Sequence, residues 1–364
     1  MRVPPITALL LVGKESSRLK LLFQLEVEES LHPSPVLPID DHLFLISPYP
    51  ASAPLTAITS LQSTLDSIFP SICTHPEQLL CDFSELAIQA DQWDVESECL
   101  HLYEPREPGK ERVSPKMMMC SIAQSINGSV ALYPSRSKIR FHLVESRSGY
   151  FLGTNLKHSF RDRSKSVLQK WKRRPYSFSA ALSVELADAV VSILVQRVLR
   201  QNPSASMTDL SFLDPCCGSG TTLFSAHRAG LRTLKGFDIS QVAVDGATKN
   251  LEYANILGPR VTVERRDSTL PLSPPLLADI VVANLPWGEN KFEYFGENSR
   301  IIGTIGRLVH SGSQVALITH DEIDTATLKS AGIYVTRVIP IDQDSNSNNK
   351  RTGKCYVSFC LKST

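Results

Sequence analysis

An α/β fold with a mostly parallel sheet is what the carboxy-terminal half of this sequence predicts, and two observations carry the prediction. From Ser211 onward, short apolar runs alternate with runs of helical spacing without a break, which implies parallel strands joined by right-handed crossovers. The first of those strands ends in a small-residue turn, Asp214-Pro215-Cys216-Cys217-Gly218-Ser219-Gly220-Thr221, that opens a helix. The half before it reads as a smaller α+β domain with no comparable signature.

Composition bounds what the chain can be. Its 364 residues suffice for two domains with real cores. A formal net charge of +1 excludes a polyelectrolyte, so contact with nucleic acid would need a local basic patch. The eight cysteines form no CxxC pair and no cluster with histidine at zinc-finger spacing, so no metal site is expected. The apolar run Ile6 to Val12 is too short to span a bilayer and reads as a buried strand. Low cysteine density and the lack of a secretory leader point to a cytoplasmic protein with reduced thiols, a nuclear one being the variant.

Taken in order, residues 1–150 suggest strands at Ala8–Val12, Leu19–Glu26 and Leu43–Ile46, then helices at Thr59–Phe69 and Pro76–Gln89. Further strands are expected at Met117–Ile122, Ser129–Tyr133, Ile139–Val144 and Tyr150–Gly153. No catalytic constellation stands out among them. Residues 151–178 form a basic linker: Lys157, Arg161, Arg163, Lys165, Lys170, Lys172, Arg173 and Arg174 face one acid, Asp162. Trp171 and Tyr176 sit among these cations, a mixture that suits a phosphate backbone with bases to stack on; a solvated connector reads equally well. Ser179–Leu199 then has the spacing of an amphipathic helix and opens the second domain, residues 179–364.

Within that domain, strands are expected at Phe212–Asp214, Leu234–Ile239, Val261–Glu264, Asp279–Ala283 and Val315–Thr319. Helices are expected at Thr221–Ala229, Val242–Leu257, Arg300–His310 and Thr325–Ser330. Two β-rich segments, Tyr334–Ile339 and Tyr356–Leu361, close the chain.

The glycine turn is a candidate cofactor cradle. Gly218 and Gly220 allow positive φ and close approach of a ligand, and the helix amides beyond attract a carboxylate. Asp238, 20 residues past Gly218 at the end of the second strand, stands where nucleotide-binding folds place an acid on ribose hydroxyls. Asp267 closes the third strand and could accept from an adenine amine, while Asp214 orients the turn. The third glycine of a dinucleotide fingerprint and the lysine of a P-loop are both missing. S-adenosylmethionine has a carboxylate, a ribose and an adenine but no phosphate, and three spaced acids suit it.

The second candidate is Asn284-Leu285-Pro286-Trp287-Gly288, which leaves the end of the Asp279–Ala283 strand. Pro286 fixes its own φ and keeps Leu285 extended. The Asn284 side-chain oxygen and the Leu285 carbonyl can then accept both hydrogens of one planar exocyclic amine, favouring the charge that develops on its nitrogen. Trp287 would stack on the base, a contact worth ~1–3 kcal/mol.

The turn resembles the DPFCGSGT motif, and Asn284-Leu285-Pro286-Trp287 the N/D-P-P-Y/F/W motif, of amino-group methyltransferases. With Lys172-Arg173-Arg174-Pro175-Tyr176 similar to a K-R-P-Y segment, residues 140–364 resemble the THUMP-associated RNA guanine-N2 methyltransferases. Cys216 replaces the usual phenylalanine, and Leu285 replaces the first proline, a change compatible with a role played by a carbonyl. The resemblance implies a class I (Rossmann-like) methyltransferase fold: a mostly parallel seven-stranded sheet with one antiparallel strand inserted near an edge, preceded by a divergent THUMP-like RNA-binding domain. It implies S-adenosyl-L-methionine held by Asp214, Cys216, Gly218, Gly220, Asp238, Asp267 and Asn284, and catalysis at Asn284, Leu285, Pro286 and Trp287. It implies tRNA as the structured RNA, bound through Arg163, Lys170, Lys172, Arg173 and Arg174. For eukaryotic members it also implies a small zinc-binding activator subunit. Adenine N6, a protein glutamine, and a non-catalytic RNA-binding scaffold of the same fold stay open as alternatives.

Overall fold

A computed structural model describes residues 7–11, 19–31, 36–40, 43–46, 63–67, 98–101, 140–146, 149–155, 169–177, 181–271, 277–286, 291–342 and 354–363. These cluster into two compact units. The first holds seven strands: β1 (Thr7–Leu11), β2 (Val36–Asp40), β3 (Leu43–Ile46), β4 (Ser63–Ser67), β5 (Glu98–His101), β6 (Arg140–Ser146) and β7 (Gly149–Asn155). They form one sheet in the order β2-β3-β1-β4-β7-β6-β5, antiparallel except where β5 runs parallel to β6. β2 carries Pro38 and was not expected as a strand; its place at the sheet edge is what tolerates the missing N–H.

Two expected elements of this half change type. Leu19–Glu26, where Leu19, Leu21, Phe23 and Leu25 recur at every second residue, was expected as a strand. It is instead part of helix α1 (Lys20–Leu31), of which Leu21–Ser30 clusters with the second unit. Leu22, Leu25 and Glu26 are buried at helical spacing, and Gln24 Nε2 donates to Glu28 Oε1 one turn on, 2.8 Å away. Leu, Gln, Glu and Lys are strong helix formers, and burial of one face selects the helical period over the strand period. Thr59–Phe69 was expected as a helix; residues 63–67 are instead strand β4, paired antiparallel with β1, so sheet pairing overrides the local spacing. The expected elements at Pro76–Gln89, Met117–Ile122 and Ser129–Tyr133 lie outside the described residues.

The second unit is the α/β half. Its strands are β8 (Ser211–Asp214), β9 (Thr233–Asp238), β10 (Val261–Arg265), β11 (Ala278–Asn284), β12 (Val309–Thr319), β13 (Ile333–Asp342) and β14 (Lys354–Lys362). Their order is β10-β9-β8-β11-β12-β14-β13, parallel from β10 to β12, with β14 inserted antiparallel between β12 and β13. This is the seven-stranded class I methyltransferase sheet the sequence predicted. The strands at its centre are covered on both faces, which is why Ile280, Val281, Val282 and Ala283 form an unbroken apolar run at 0% exposure.

Its helices are α2 (Val184–Gln201), α3 (Thr221–Arg228), α4 (Gln241–Tyr253), α5 (Lys291–Leu308) and α6 (Thr325–Ser330). α2 starts five residues later than expected because Ser183 caps it, its side chain accepting from the Leu186 N–H. α5 begins nine residues earlier than expected, and β12 takes over directly at Val309. Arg197 and Arg200 of α2 both bond to Glu29 of α1, so the helix from the start of the chain is fastened to this unit. Among the described residues, no helix is long and apolar enough to cross a membrane.

Candidate functional site

The carboxyl ends of β8, β9 and β11 converge on a cavity of about 250 Å³. β8 ends at Asp214, whose side chain is almost fully buried. Its Oδ1 accepts the Cys216 N–H at 2.9 Å and its Oδ2 accepts the Thr222 hydroxyl, so one carboxylate spans the turn from the strand to the first turn of α3. Burial pushes its pKa up to about 7, with Asp238 adding to the rise and the two donors opposing it.

Between those anchors the backbone takes two positive φ angles, +51° at Gly218 and +81° at Gly220. Gly218 has nothing within 4 Å of where a Cβ would stand, so its open side is available to a ligand, while Gly220 caps α3 against Ala247. Asp238 of β9 reaches over: Oδ2 accepts the Gly218 N–H at 2.9 Å and Oδ1 accepts the Ser240 N–H at 3.0 Å. The Cys217 N–H donates to the Phe237 carbonyl at 2.8 Å, which ties the turn to β9 a second time. Burial lifts both the Cys216 and Cys217 thiols well above their ordinary range, so they pack as small neutral side chains rather than nucleophiles.

The opposite wall is the end of β11. Asn284, Leu285 and Pro286 line the same cavity as Asp214, Cys216, Gly218 and Asp238. Leu285 explains its own departure from proline: its N–H donates to the Ile318 carbonyl at 3.0 Å, extending the β11–β12 pairing by a bond no proline could make. Its side chain is 1% exposed in the core with Ile301, Ile305 and Leu317. The Pro286 carbonyl accepts the Asn298 amide from α5 at 3.1 Å. Trp287 lies outside the described residues.

Not every expected residue joins this cavity. Asp267 sits just past β10 but is not among its lining; its Oδ1 accepts the Thr269 hydroxyl and N–H at 2.7 and 2.9 Å, and these bonds lower its pKa. Gly220 supports the turn from behind. Three contributors were missed by the sequence reading. Ala181 and Leu182, expected inside a helix, precede α2 and line the cavity. Asn298 holds the Pro286 carbonyl from 12 residues away, and an asparagine on a polar helix face gives no sequence signal of that.

In the basic segment Trp171 is not placed as a stacking platform. Trp171 is 1% exposed and stacks on Phe224 of α3, with ring centroids 4.1 Å apart. Apolar burial outweighs what a surface tryptophan would gain from a base. The Tyr176 ring packs on α4 at Gly246, where a Cβ would lie 2.2 Å from it. The cations divide. Lys172 and Arg173 are exposed, and Lys170 is exposed with its Nζ 5.3 Å above the Tyr253 ring. Arg174 turns inward over Trp171 and donates to its carbonyl at 3.3 Å, and burial lowers its pKa. Arg163 lies outside the described residues.

Residues 171–330 match the family described as UPF0020: RMKL-like, methyltransferase domain. A ribosomal protein L11 methyltransferase of Desulforapulum autotrophicum is 44% identical over 75 residues, which is 21% of this chain and 24% of that protein. The chain thus spans about a quarter of the length of that relative. The crystal structure of TrmN from Thermus thermophilus aligns over 98% of this chain and 99% of that one, with a TM-score of 0.54 and 17% identity. A structure of SMU.472 complexed with SAH aligns over 99% and 98%, with a TM-score of 0.50 and 11% identity. At these identities the two structures speak for the fold. The methyl donor of such a domain, S-adenosylmethionine, fits the cavity: a carboxylate on β8, a second on β9 and an open glycine backbone suit its cationic amino acid, its ribose and its close approach.

Proposed function

We propose that this protein transfers a methyl group from S-adenosylmethionine to the exocyclic N2 amine of guanosine in a structured RNA, with tRNA the first candidate. The observation that carries the reading is one cavity lined by Asp214, Gly218 and Asp238 on one side and by Asn284, Leu285 and Pro286 on the other. When bound, the cofactor supplies an electrophilic methyl group on a sulfonium. The chain's own residues do the rest. Asp238 and Gly218 hold the ribose end, and Asp214 with the start of α3 holds the amino-acid end. The Asn284 side-chain oxygen and the Leu285 carbonyl accept the two amine hydrogens, which favours positive charge on the attacking nitrogen and fixes its lone pair toward the methyl carbon. Pro286, anchored by Asn298, stiffens this wall, and Trp287 supplies the face on which the base stacks. Asp267 would receive the adenine amine only by turning from Thr269.

The substrate is carried to this wall by charge. Lys170, Lys172 and Arg173 are the exposed cations of the 169–177 segment and take the phosphate contacts, with Arg163 ahead of them. The first unit, read as a divergent THUMP-like domain, delivers the RNA, and a small zinc-binding activator subunit is the protein partner. Incubating the protein with labelled S-adenosylmethionine and separate total RNA, DNA and protein fractions, followed by nucleoside mass spectrometry, tests the reading. Label in RNA as N2-methylguanosine is expected. Label confined to DNA as N6-methyladenine, or to protein glutamine, would overturn the substrate while leaving the amine clamp in place.

A further inference from the structure

Asn250 of α4 is fully buried, lies outside the cavity lining, and spends every hydrogen-bonding group of its amide on two distant stretches of backbone. Its Oδ1 accepts the Tyr176 N–H at 2.9 Å. Its Nδ2 donates to the Tyr176 carbonyl at 2.8 Å and to the Ser219 carbonyl at 2.9 Å. Tyr176 belongs to the basic segment and Ser219 stands between the two positive-φ glycines of the cofactor turn. Gripping the Ser219 carbonyl fixes the plane of the peptide it shares with Gly220, whose N–H closes the turn onto the Cys217 carbonyl at 2.8 Å. Gly246, one turn earlier on α4, gives the Tyr176 ring its room, since a Cβ there would lie 2.2 Å from the ring.

We infer that Asn250 is a positioning residue that couples the 169–177 segment to the cofactor turn, so that filling the turn orders the segment and anchoring the segment steadies the turn. The chemistry admits no easy substitute: the bonds to Tyr176 demand an acceptor and a donor at one amide, and the bond to Ser219 a second donor. A carboxylate would set negative charge against two carbonyls, and an aliphatic side chain would leave three backbone groups without this partner, the Ser219 carbonyl in a buried position. The reciprocal effect follows from linkage, because a ligand that favours one arrangement of the turn favours the arrangement of whatever the turn is bonded to. For its functional consequence the inference rests on the cofactor reading above; the mechanical link does not.

Amide hydrogen exchange on the full chain separates the two. In ligand-free protein, Asn250→Ala should accelerate exchange in the Tyr176 peptide and in the Gly218–Gly220 peptide together, each by about tenfold. Gly246→Ala leaves Asn250 in place and displaces the Tyr176 ring; it should accelerate the Tyr176 peptide by a similar factor and the turn by about threefold. Exchange of the turn at its wild-type rate in either folded variant, while the Tyr176 peptide speeds up, would overturn the coupling. Saturating S-adenosylhomocysteine should slow the Tyr176 peptide in wild type and leave it unchanged in Asn250→Ala. Protection of the turn without protection of Tyr176 in wild type also sinks the coupling. No binding of S-adenosylhomocysteine to wild type would instead refute the donor assignment, with the ligand-free result still deciding the link.

Discussion

β8 and β11 lie side by side with polar side chains at both ends of the pair, Ser211 and Asp279 at one and Asp214 and Asn284 at the other, but the two ends do opposite work. At the amino end, Asp279 accepts the Ser211 N–H at 2.8 Å and its hydroxyl at 2.6 Å through Oδ2, and His310 Nε2 lies 3.0 Å from Oδ1. Burial raises that carboxyl, but the Ser211 and His310 bonds together outweigh it and lower the pKa. At the carboxyl end, Asp214 is buried more completely and held by fewer donors, so burial wins and lifts it to about 7. One end is a closed lock between two strands. The other is a carboxylate left short of charge stabilisation beside an open cavity, which is the condition a cationic ligand relieves. Parallel sheets put this asymmetry to use, since helices leave from the carboxyl ends with their amide-rich starts facing a ligand.

The comparison breaks first at Asn284, the cavity-facing end of β11. Asn284→Ala should lower kcat for methyl transfer by ~10²–10³, the loss typical of removing one donor or acceptor aimed at developing charge. Calorimetry with S-adenosylhomocysteine should show affinity falling far less than kcat, since Asn284 also lines the cofactor cavity, and full activity in the variant would refute the clamp. The next effect belongs to the other end. Asp279→Ala strands the Ser211 N–H and hydroxyl, and should cost about 1–3 kcal/mol in denaturant unfolding without changing cofactor affinity. An unstable Asn284→Ala and an inactive but stable Asp279→Ala would invert the assignment of the two ends.

A pH titration sharpens the contrast. Asp214 has its folded pKa raised from 3.8 to about 7, so the native state holds a proton that the unfolded chain releases across that window. Stability of the ligand-free protein therefore falls as pH rises from about 4 to about 7, and Asp214→Asn, a neutral shape-mimic, makes that slope shallower, leaving the part contributed by Asp188, which burial raises to about 6. A slope unchanged in Asp214→Asn would show that the carboxyl is ionised throughout.

How much of this was legible depends on how far a residue's partners lie along the chain. That Asp214, Gly218 and Asp238 would meet at one cavity was readable because a strand end, a glycine turn and a second strand end are local patterns. The Asn284 wall was readable for the same reason, and Leu285 was puzzling only until its N–H was seen paired with Ile318. Trp171 misled because a tryptophan among cations looks the same whether it faces RNA or Phe224. α1 misled because its apolar residues satisfy a period of 2 and a helical period at once, and only the face buried on the second unit decides between them. Asn250 gave no signal, as its partners are 74 and 31 residues away and are backbone groups that any residue type supplies.

The smallest effect tests the lock by itself. The Ser311 carbonyl holds the His310 ring by its Nδ1, and with Asp279 at Nε2 these contacts raise the His310 pKa above 6.5 against a modest burial penalty. A raised histidine contributes stability that is complete below its unfolded pKa and is lost as pH climbs through the folded value. Asp279, lowered, contributes stability that is complete above 3.8 and is lost only as pH falls through its own folded value. The ionic part of the lock thus operates from below pH 3.8 to above pH 6.5, and His310→Gln should cost most inside that range. Because the imidazole is 42% exposed, solvent screening keeps the loss to no more than about 1 kcal/mol. Wild type and variant should converge in stability as pH rises above the folded value of His310, and both should bind S-adenosylhomocysteine alike at every pH. A His310→Gln protein with altered cofactor affinity would mean that the two ends of β11 are not independent, and that the closed end helps set the geometry of the open one.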